Sequence, residues 1–239
     1  MKILILNAGS SSQKSSLYEV AGDRFPDEPP KPLWEAAVDW THHQGFAQIK
    51  VKTSTGGRLK EEIPTQSRQK VNAHLLETLW QGETALLKHP SEIDAVGHRV
   101  VHGGQEYCET VKVTPEVKAA ISRLSALAPV HNPANLEGIE AVESILGTEV
   151  PQFAVFDTAF HSHLPDAAAI YPGPYSWVEQ GIRRYGFHGI SHQYCAHRAA
   201  QLLHGDLQDL RLIICHLGNG CSLSAVLNGC CIDTTMGFT

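Results

Sequence analysis

Residues 7–14, NAGSSSQK, put two amides, three hydroxyls, one glycine and one lysine into a single turn. Such a loop suits a phosphate, which takes backbone N–H groups, hydroxyl donors and one point charge. The GxxxxGK[ST] spacing of a Walker loop is absent, and a Ser-rich hairpin turn is the competing reading. A second turn, HLGNG at 216–220, offers similar chemistry, with Asn219 between glycines that let a ligand approach the backbone closely. Each turn closes an apolar strand and opens another, within 2–20 and again within 211–227. One pattern used twice points to two related halves gripping one polyphosphate.

Single residues add to this. Arg99 lies in GHRVVHGG (97–104), a glycine-flanked apolar strand where a cation is costly unless it meets an anion. A structural salt bridge would serve, and so would a carboxylate or phosphoryl group, which a planar guanidinium fits well. Asp157, in VFDTAFH, directly follows an apolar strand. Ligands gather at the carboxyl ends of strands in α/β sheets, although a turn aspartate is the plainer reading. RRYGFHGISH (183–192) carries His188 between Phe187 and Gly189, with His192 at i+4. Zinc is not supported there: Gly189 disfavours a helix through the pair, and the Glu of HExxH is missing. One of the two positions suits a structural histidine, and His131 in PVHNP could simply pin a loop. No Gly-x-Ser-x-Gly elbow occurs, and no cysteine sits in an obvious activating setting, so acyl-enzyme hydrolysis is not supported.

These residues need elements to place them. The Pro-rich, charged segment 21–32 reads as a surface loop. Residues 49–63 alternate around Thr55-Gly56-Gly57 and predict a hairpin. Val71, Leu75, Leu79 and Leu86 recur at helical spacing, with Gly82 as a weak point. Ile93 to Val101 predicts a buried strand. Thr114-Pro115 and Asn132-Pro133 each predict a helix start, the helices running to about Leu127 and Gly147. PQFAVF (151–156) predicts the strand that delivers Asp157, and Ser191 a cap for a helix through Leu203. Hairpins followed by helices and further strands indicate mixed α/β layers.

Composition bounds the function. The 239 residues are 42% hydrophobic, enough for a real core, and a net charge of −6 without a long basic run argues against nucleic acid as a partner. Six cysteines show no CxxC pair, which reads as reduced thiols in a cytoplasmic protein. Only four apolar residues separate Lys2 from Asn7, too few for a signal-peptide core, and no stretch reaches membrane-span length.

Five motifs stand in one order: NAGSSSxK, GHRVVHGG, APxHNPxN, FDTAFH with YGFHGxSH, and HLGNG followed by DTTMGFT. Together they resemble the acetate kinase family, within the acetate and sugar kinase, Hsp70 and actin superfamily. The resemblance implies an α/β, RNase H-like (actin-like ATPase) fold of two related domains, the second incomplete. Residues 1–157 would form the first, and 158–239 the start of the second, nucleotide-binding one. It implies reversible phosphoryl transfer from ATP to acetate, giving ADP and acetyl phosphate, with Mg²⁺ or Mn²⁺. Asn7 would help hold the metal, and Ser10, Ser12 and Lys14 would face phosphates. Arg99 would bind the carboxylate or the phosphoryl group in flight. Asp157 would be the essential acid, His188 would stabilise the transition state, and His131 would support the phosphoryl site. His216, Leu217, Gly218, Asn219 and Gly220 would cradle ATP phosphates. Val101, Val130 and Phe187 would line the pocket for the acetate methyl, and a homodimer is expected by analogy. Val130 departs from the usual leucine, which loosens that pocket toward propionate. The family's second active-site arginine, adenine-binding segment, metal glutamate and terminal helix are not among these residues. A weak or inactive catalyst is therefore expected of this form alone. The competing classes are a non-catalytic nucleotide- or phosphate-binding module and a propionate or butyrate kinase.

Overall fold

The computed structural model describes residues 1–9, 11–21, 28–65 and 67–239. Ser10 and half of the loop expected at 21–32 lie outside the described residues. Contacts divide the chain into two compact units. Unit 1 comprises Met1–Arg99, Lys112–Ser122 and Val130–Ala154; unit 2 comprises Val100–Val111, Arg123–Pro129 and Val155–Thr239.

Unit 1 is organised by a long sheet. Its strands are β1 (Lys2–Ala8), β2 (Ser12–Glu19), β3 (Trp34–His43), β4 (Phe46–Thr53), β5 (Arg58–Pro64), β6 (Ala95–Val100), β7 (Val111–Lys112) and β8 (Gln152–Phe156). They lie in the order β5-β4-β3-β2-β1-β6-β8-β7. β1 to β5 form an antiparallel meander, whereas β1 and β6 run parallel. Strand periodicity sorts the side chains: Leu4, Leu6, Leu17, Trp34, Ala36, Val38, Ile49, Val51 and Val96 are buried together with the helices.

Three helices complete unit 1 or begin in it: α1 (Arg68–Glu77), α2 (Pro115–Leu124) and α3 (Asn132–Leu146). Ser67 caps α1 by accepting from the Lys70 N–H. The helix expected to reach Leu86 stops at Thr78 instead. The Thr78 hydroxyl donates to the Leu75 carbonyl (2.7 Å) and accepts from Trp34 Nε1 (3.3 Å), so a side chain anchored in the core takes over the helix end. Leu79 is buried nonetheless, in a turn closed by the Leu86 N–H on its carbonyl (2.9 Å). The Thr114 hydroxyl accepts from the Val117 N–H at the expected start of α2, which ends at Leu124, three residues early. The N-cap of α3 is His131, and Gly147, at φ 78°, ends it as expected. Gly138 brings α3 against β1: a Cβ there would sit 3.3 Å from the Ala8 Cβ.

Unit 2 holds an antiparallel sheet of β9 (Arg211–Leu217), β10 (Cys221–Leu227) and β11 (Cys230–Thr234). Two short helical turns, α4 (Asp166–Ala169) and α5 (Ser176–Glu179), precede α6 (Gly189–Leu203). Ala196 of α6, Ile214 of β9 and Val226 of β10 form one core cluster. On the other face Ile213 and Leu217 are 70% and 75% exposed. Among the described residues, no helix is long and apolar enough to cross a membrane.

Ile139 of α3 is fully buried, whereas its neighbour Glu140 is exposed. Ile139→Ala is expected to cost about 2–5 kcal/mol through the cavity it leaves. Glu140→Ala should change stability by less than about 0.5 kcal/mol in the same urea titration.

Candidate active site

In unit 1 the strand register builds a row of polar side chains. Lys14 stands directly opposite Asn7 in the antiparallel β1–β2 pair, which puts both on one face of the sheet. Leu6 is level with His98 in the parallel β1–β6 pair, so the next residues, Asn7 and Arg99, also come together. Arg99 Nη1 donates to Asn7 Oδ1 at 3.0 Å. One step back, His98 faces the buried side and pairs through Nε2 with Gln152 Oε1 at 2.6 Å. Burial pushes the His98 pKa down to about 4.

The turn beside this row is pinned by its backbone. The Gly9 N–H donates to the Ser12 carbonyl at 2.8 Å, and a Cβ on Gly9 would strike that same oxygen. Arg68 Nη1 donates to the Gly9 carbonyl and Asn135 Nδ2 to the Ala8 carbonyl. Ser12 and Lys14 are exposed, as phosphate contacts would require. His131 is exposed at the start of α3, and Val130 is 59% exposed.

In unit 2 the centre is Asp157, only 1% exposed at the end of β8. Its N–H donates to the Val100 carbonyl, and its carbonyl accepts from the Gly189 N–H, both at 2.9 Å. A Cβ on Gly189 would lie 2.1 Å from that carbonyl oxygen, so only glycine fits. Here the expectation is corrected: α6 begins at Gly189, not beyond Ser191. The flexible glycine is tolerated because it sits at the first turn, where close approach matters more than propensity. His188 precedes it in the left-handed conformation (φ 58°, ψ 23°), which non-glycine residues seldom adopt and which marks functional positions.

A cluster of imidazoles surrounds this start. His188 Nδ1 and His192 Nε2 each lie 2.8 Å from the Ser222 Oγ. The His188 ring stacks on His216 at 4.1 Å, and His216 Nδ1 lies 2.9 Å from the Ser191 Oγ. Ser222 pairs with His216 across β9 and β10, so the register sets the cluster's spacing. In the turn between those strands the Gly218 N–H donates to the Gly220 carbonyl, leaving Leu217, Gly218, Asn219 and Gly220 exposed. Of its two glycines, Gly220 is the one the fold requires: a Cβ there would lie 3.0 Å from His188 Nε2. Val101 and Phe187 are buried in unit 2.

Two members of this cluster escaped the sequence reading. Ser222 follows HLGNG on the inward phase of an alternating strand, a visible signal. His161 is buried, with Nε2 3.1 Å from the Phe187 carbonyl and Nδ1 3.1 Å from Cys231 Sγ; nothing local announces it. Burial pushes the Cys231 thiol up to about 11. Among the described residues, the one group of potential metal ligands of mixed type is His42, His43 and Glu62 on the surface. Its two imidazoles match magnesium poorly.

Gly189→Ala should destabilise the chain by at least about 2 kcal/mol, whereas Gly205→Ala, whose Cβ would meet Leu210 Cδ2 at an ordinary 4.0 Å, should not; thermal unfolding compares them. Acid supplies a second check. His98 and His192 both titrate near 4 in the fold because burial disfavours their charged forms, against about 6.5 when unfolded. The unfolded chain therefore binds more protons between those values. Stability should be held above pH 6.5 and fall as pH drops from 6.5 toward 4. His98→Gln should flatten that slope by up to about 1.4 kcal/mol per pH unit in urea titrations.

The model of the acetokinase family matches residues 2–239. An acetate kinase of a Cyanothece strain is 69% identical over all 239 residues, which cover 58% of that relative. One from Gloeobacter violaceus is 63% identical, covered to 59%. Among solved structures, Porphyromonas gingivalis acetate kinase superposes with a TM-score of 0.88 at 38% identity, the whole chain covering 58% of it. A propionate kinase from Francisella tularensis gives a TM-score of 0.86 at 37% identity, again 58% covered. The chain thus spans somewhat under three fifths of the length of these relatives and shares their α/β, actin-like ATPase fold. By sequence over its whole length and by fold, the chain belongs to the acetokinase family.

Proposed function

We propose that these residues serve reversible phosphoryl transfer between ATP and acetate, giving ADP and acetyl phosphate. The observation that carries the reading is the Lys14–Asn7–Arg99 row, a cationic row where parallel strands β1 and β6 end. Anionic ligands collect at such strand ends. Asn7 accepts a hydrogen bond from the guanidinium, whose planar fork has the shape to meet a carboxylate or phosphoryl group.

Acetate is ionised at pH 7, since carboxylic acids titrate near pH 4, so the nucleophile loses no proton. Asp157 is then an orienting carboxylate and not a general base. The task is to bring two anions together, and Arg99, Lys14 and His188 lower their repulsion. Each donor by itself is of a type that Mg²⁺ or Mn²⁺ takes: in unit 1 the Asn7 amide oxygen keeps a second lone pair beside its bond to Arg99, and in unit 2 Asp157 carries a carboxylate. Such an ion, when bound, neutralises charge on the phosphates. In this reading Ser10, Ser12 and the 216–220 turn contact phosphates, and His131 supports the phosphoryl site. Val101, Val130 and Phe187 face the methyl group. The wider reading is a cytoplasmic homodimer whose RNase H-like halves fall at 1–157 and 158–239.

A second reading, propionate as acceptor, has one observation in its favour: Val130 is smaller than leucine and 59% exposed. The test is trapping of the acyl phosphate with hydroxylamine, using the purified chain, ATP, Mg²⁺ and either acid. Acetyl hydroxamate is expected at a turnover below the ordinary kinase range of about 1–100 s⁻¹, and Arg99→Ala should abolish it. Bound ADP without any hydroxamate would instead make this form a nucleotide-binding module. Faster turnover with propionate would reassign the acceptor.

A further inference from the structure

We infer that Ser222 and His192 are positioning residues that hold His188 in one neutral tautomer, with its proton on Nε2. The inference rests on the reading of His188 as a phosphoryl-site donor for its purpose, but on unit 2 alone for its geometry.

The chain of reasoning starts at His192, which is fully buried. Its Nδ1 has no hydrogen-bond partner among the described residues, while its Nε2 lies 2.8 Å from the Ser222 Oγ. A buried N–H without an acceptor costs more than a buried lone pair without a donor. The His192 proton therefore sits on Nε2 and is donated to Ser222. Ser222 is itself fully buried, and its hydroxyl has one proton to give. The His188 Nδ1, 2.8 Å away, takes it. A neutral imidazole that accepts at one nitrogen carries its proton on the other. His188 is thereby left with an Nε2–H donor.

Three further features hold this arrangement. Gly220 leaves room beside the His188 Nε2, where a Cβ would lie 3.0 Å away. The left-handed backbone of His188 and the Gly189 bond to Asp157 fix where the ring starts. The positive end of the α6 dipole lies at His188, a setting that suits an uncharged ring. The ionisable groups packed around the cluster are His216, stacked on His188, His161, whose ring lies 5.7 Å from that of His192, and Asp157. The result is one ring tautomer, set by a relay running His192 to Ser222 to His188.

Nitrogen-15 long-range correlation spectra of the histidine rings in the full 239-residue chain test this at pH 7.5. His188 peaks are identified by their loss in His188→Gln. His188 should show an unprotonated Nδ1 and a protonated Nε2, and His192 a protonated Nε2. In Ser222→Ala the His188 nitrogens should move toward tautomer-averaged positions, and Ser222→Thr should restore the parent pattern. A protonated Nδ1 on His188 in the parent chain, or nitrogen shifts unchanged by Ser222→Ala, would overturn the inference. The parent spectrum decides by itself if Ser222→Ala does not fold. These shifts do not depend on turnover, so an inactive chain would refute the transferase reading without touching this one.

Discussion

The bond from the Gly189 N–H to the Asp157 carbonyl governs the chemistry of unit 2. It ties the end of β8 to the first turn of α6 at a separation that excludes any side chain on residue 189. That one contact sets where the Asp157 carboxylate begins and where the His188 ring begins. It also accounts for the left-handed backbone at His188, because the chain must turn sharply to bring Gly189 back onto the strand end. Strain of this kind persists only when the surroundings over-determine it. Here they do, through Ser222, His192, His216 and Gly220.

Unit 1 solves a different problem with simpler means. Its polar row needs no unusual backbone, since level positions on neighbouring strands share a face. Leu4 and Leu6 point one way and Asn7 the other, so one alternation builds both the core and the polar face. His98, one residue before Arg99, shows how strictly the faces are kept. It is buried, hydrogen-bonded and held neutral, while its neighbour is a cation at the surface of the sheet.

Much of this was legible in the residues. Both hairpins, the strand ending at Phe156 and the starts of α2 and α3 follow from alternation, apolar runs and Pro or Gly punctuation. What local pattern could not supply was the third dimension. The helical spacing through Leu86 was real as burial but wrong as helix, because Thr78 ends α1 through a partner forty-four positions away, Trp34. β3 has the same alternating signal, with Trp34, Ala36 and Val38 buried in alternation with the more exposed Glu35 and Ala37. Gly189 was read as a helix breaker, yet a glycine at the first helical position answers to the carbonyl it must approach. Ser222 and His161 act through neighbours distant in sequence, and motif spacing does not encode such neighbours.

The sheet of unit 2 has a physical cost built into it. α6 covers one face, while Ile213, Leu217, Leu223 and Ile232 stand exposed. Among the described residues, β9 and β11 are also its two edges, so each carries peptide groups with no neighbouring strand on one side. An oily surface beside unpaired peptide edges is a template on which a further strand can add. Concentrated solutions of the 239-residue chain should therefore thicken into edge-to-edge assemblies through this sheet.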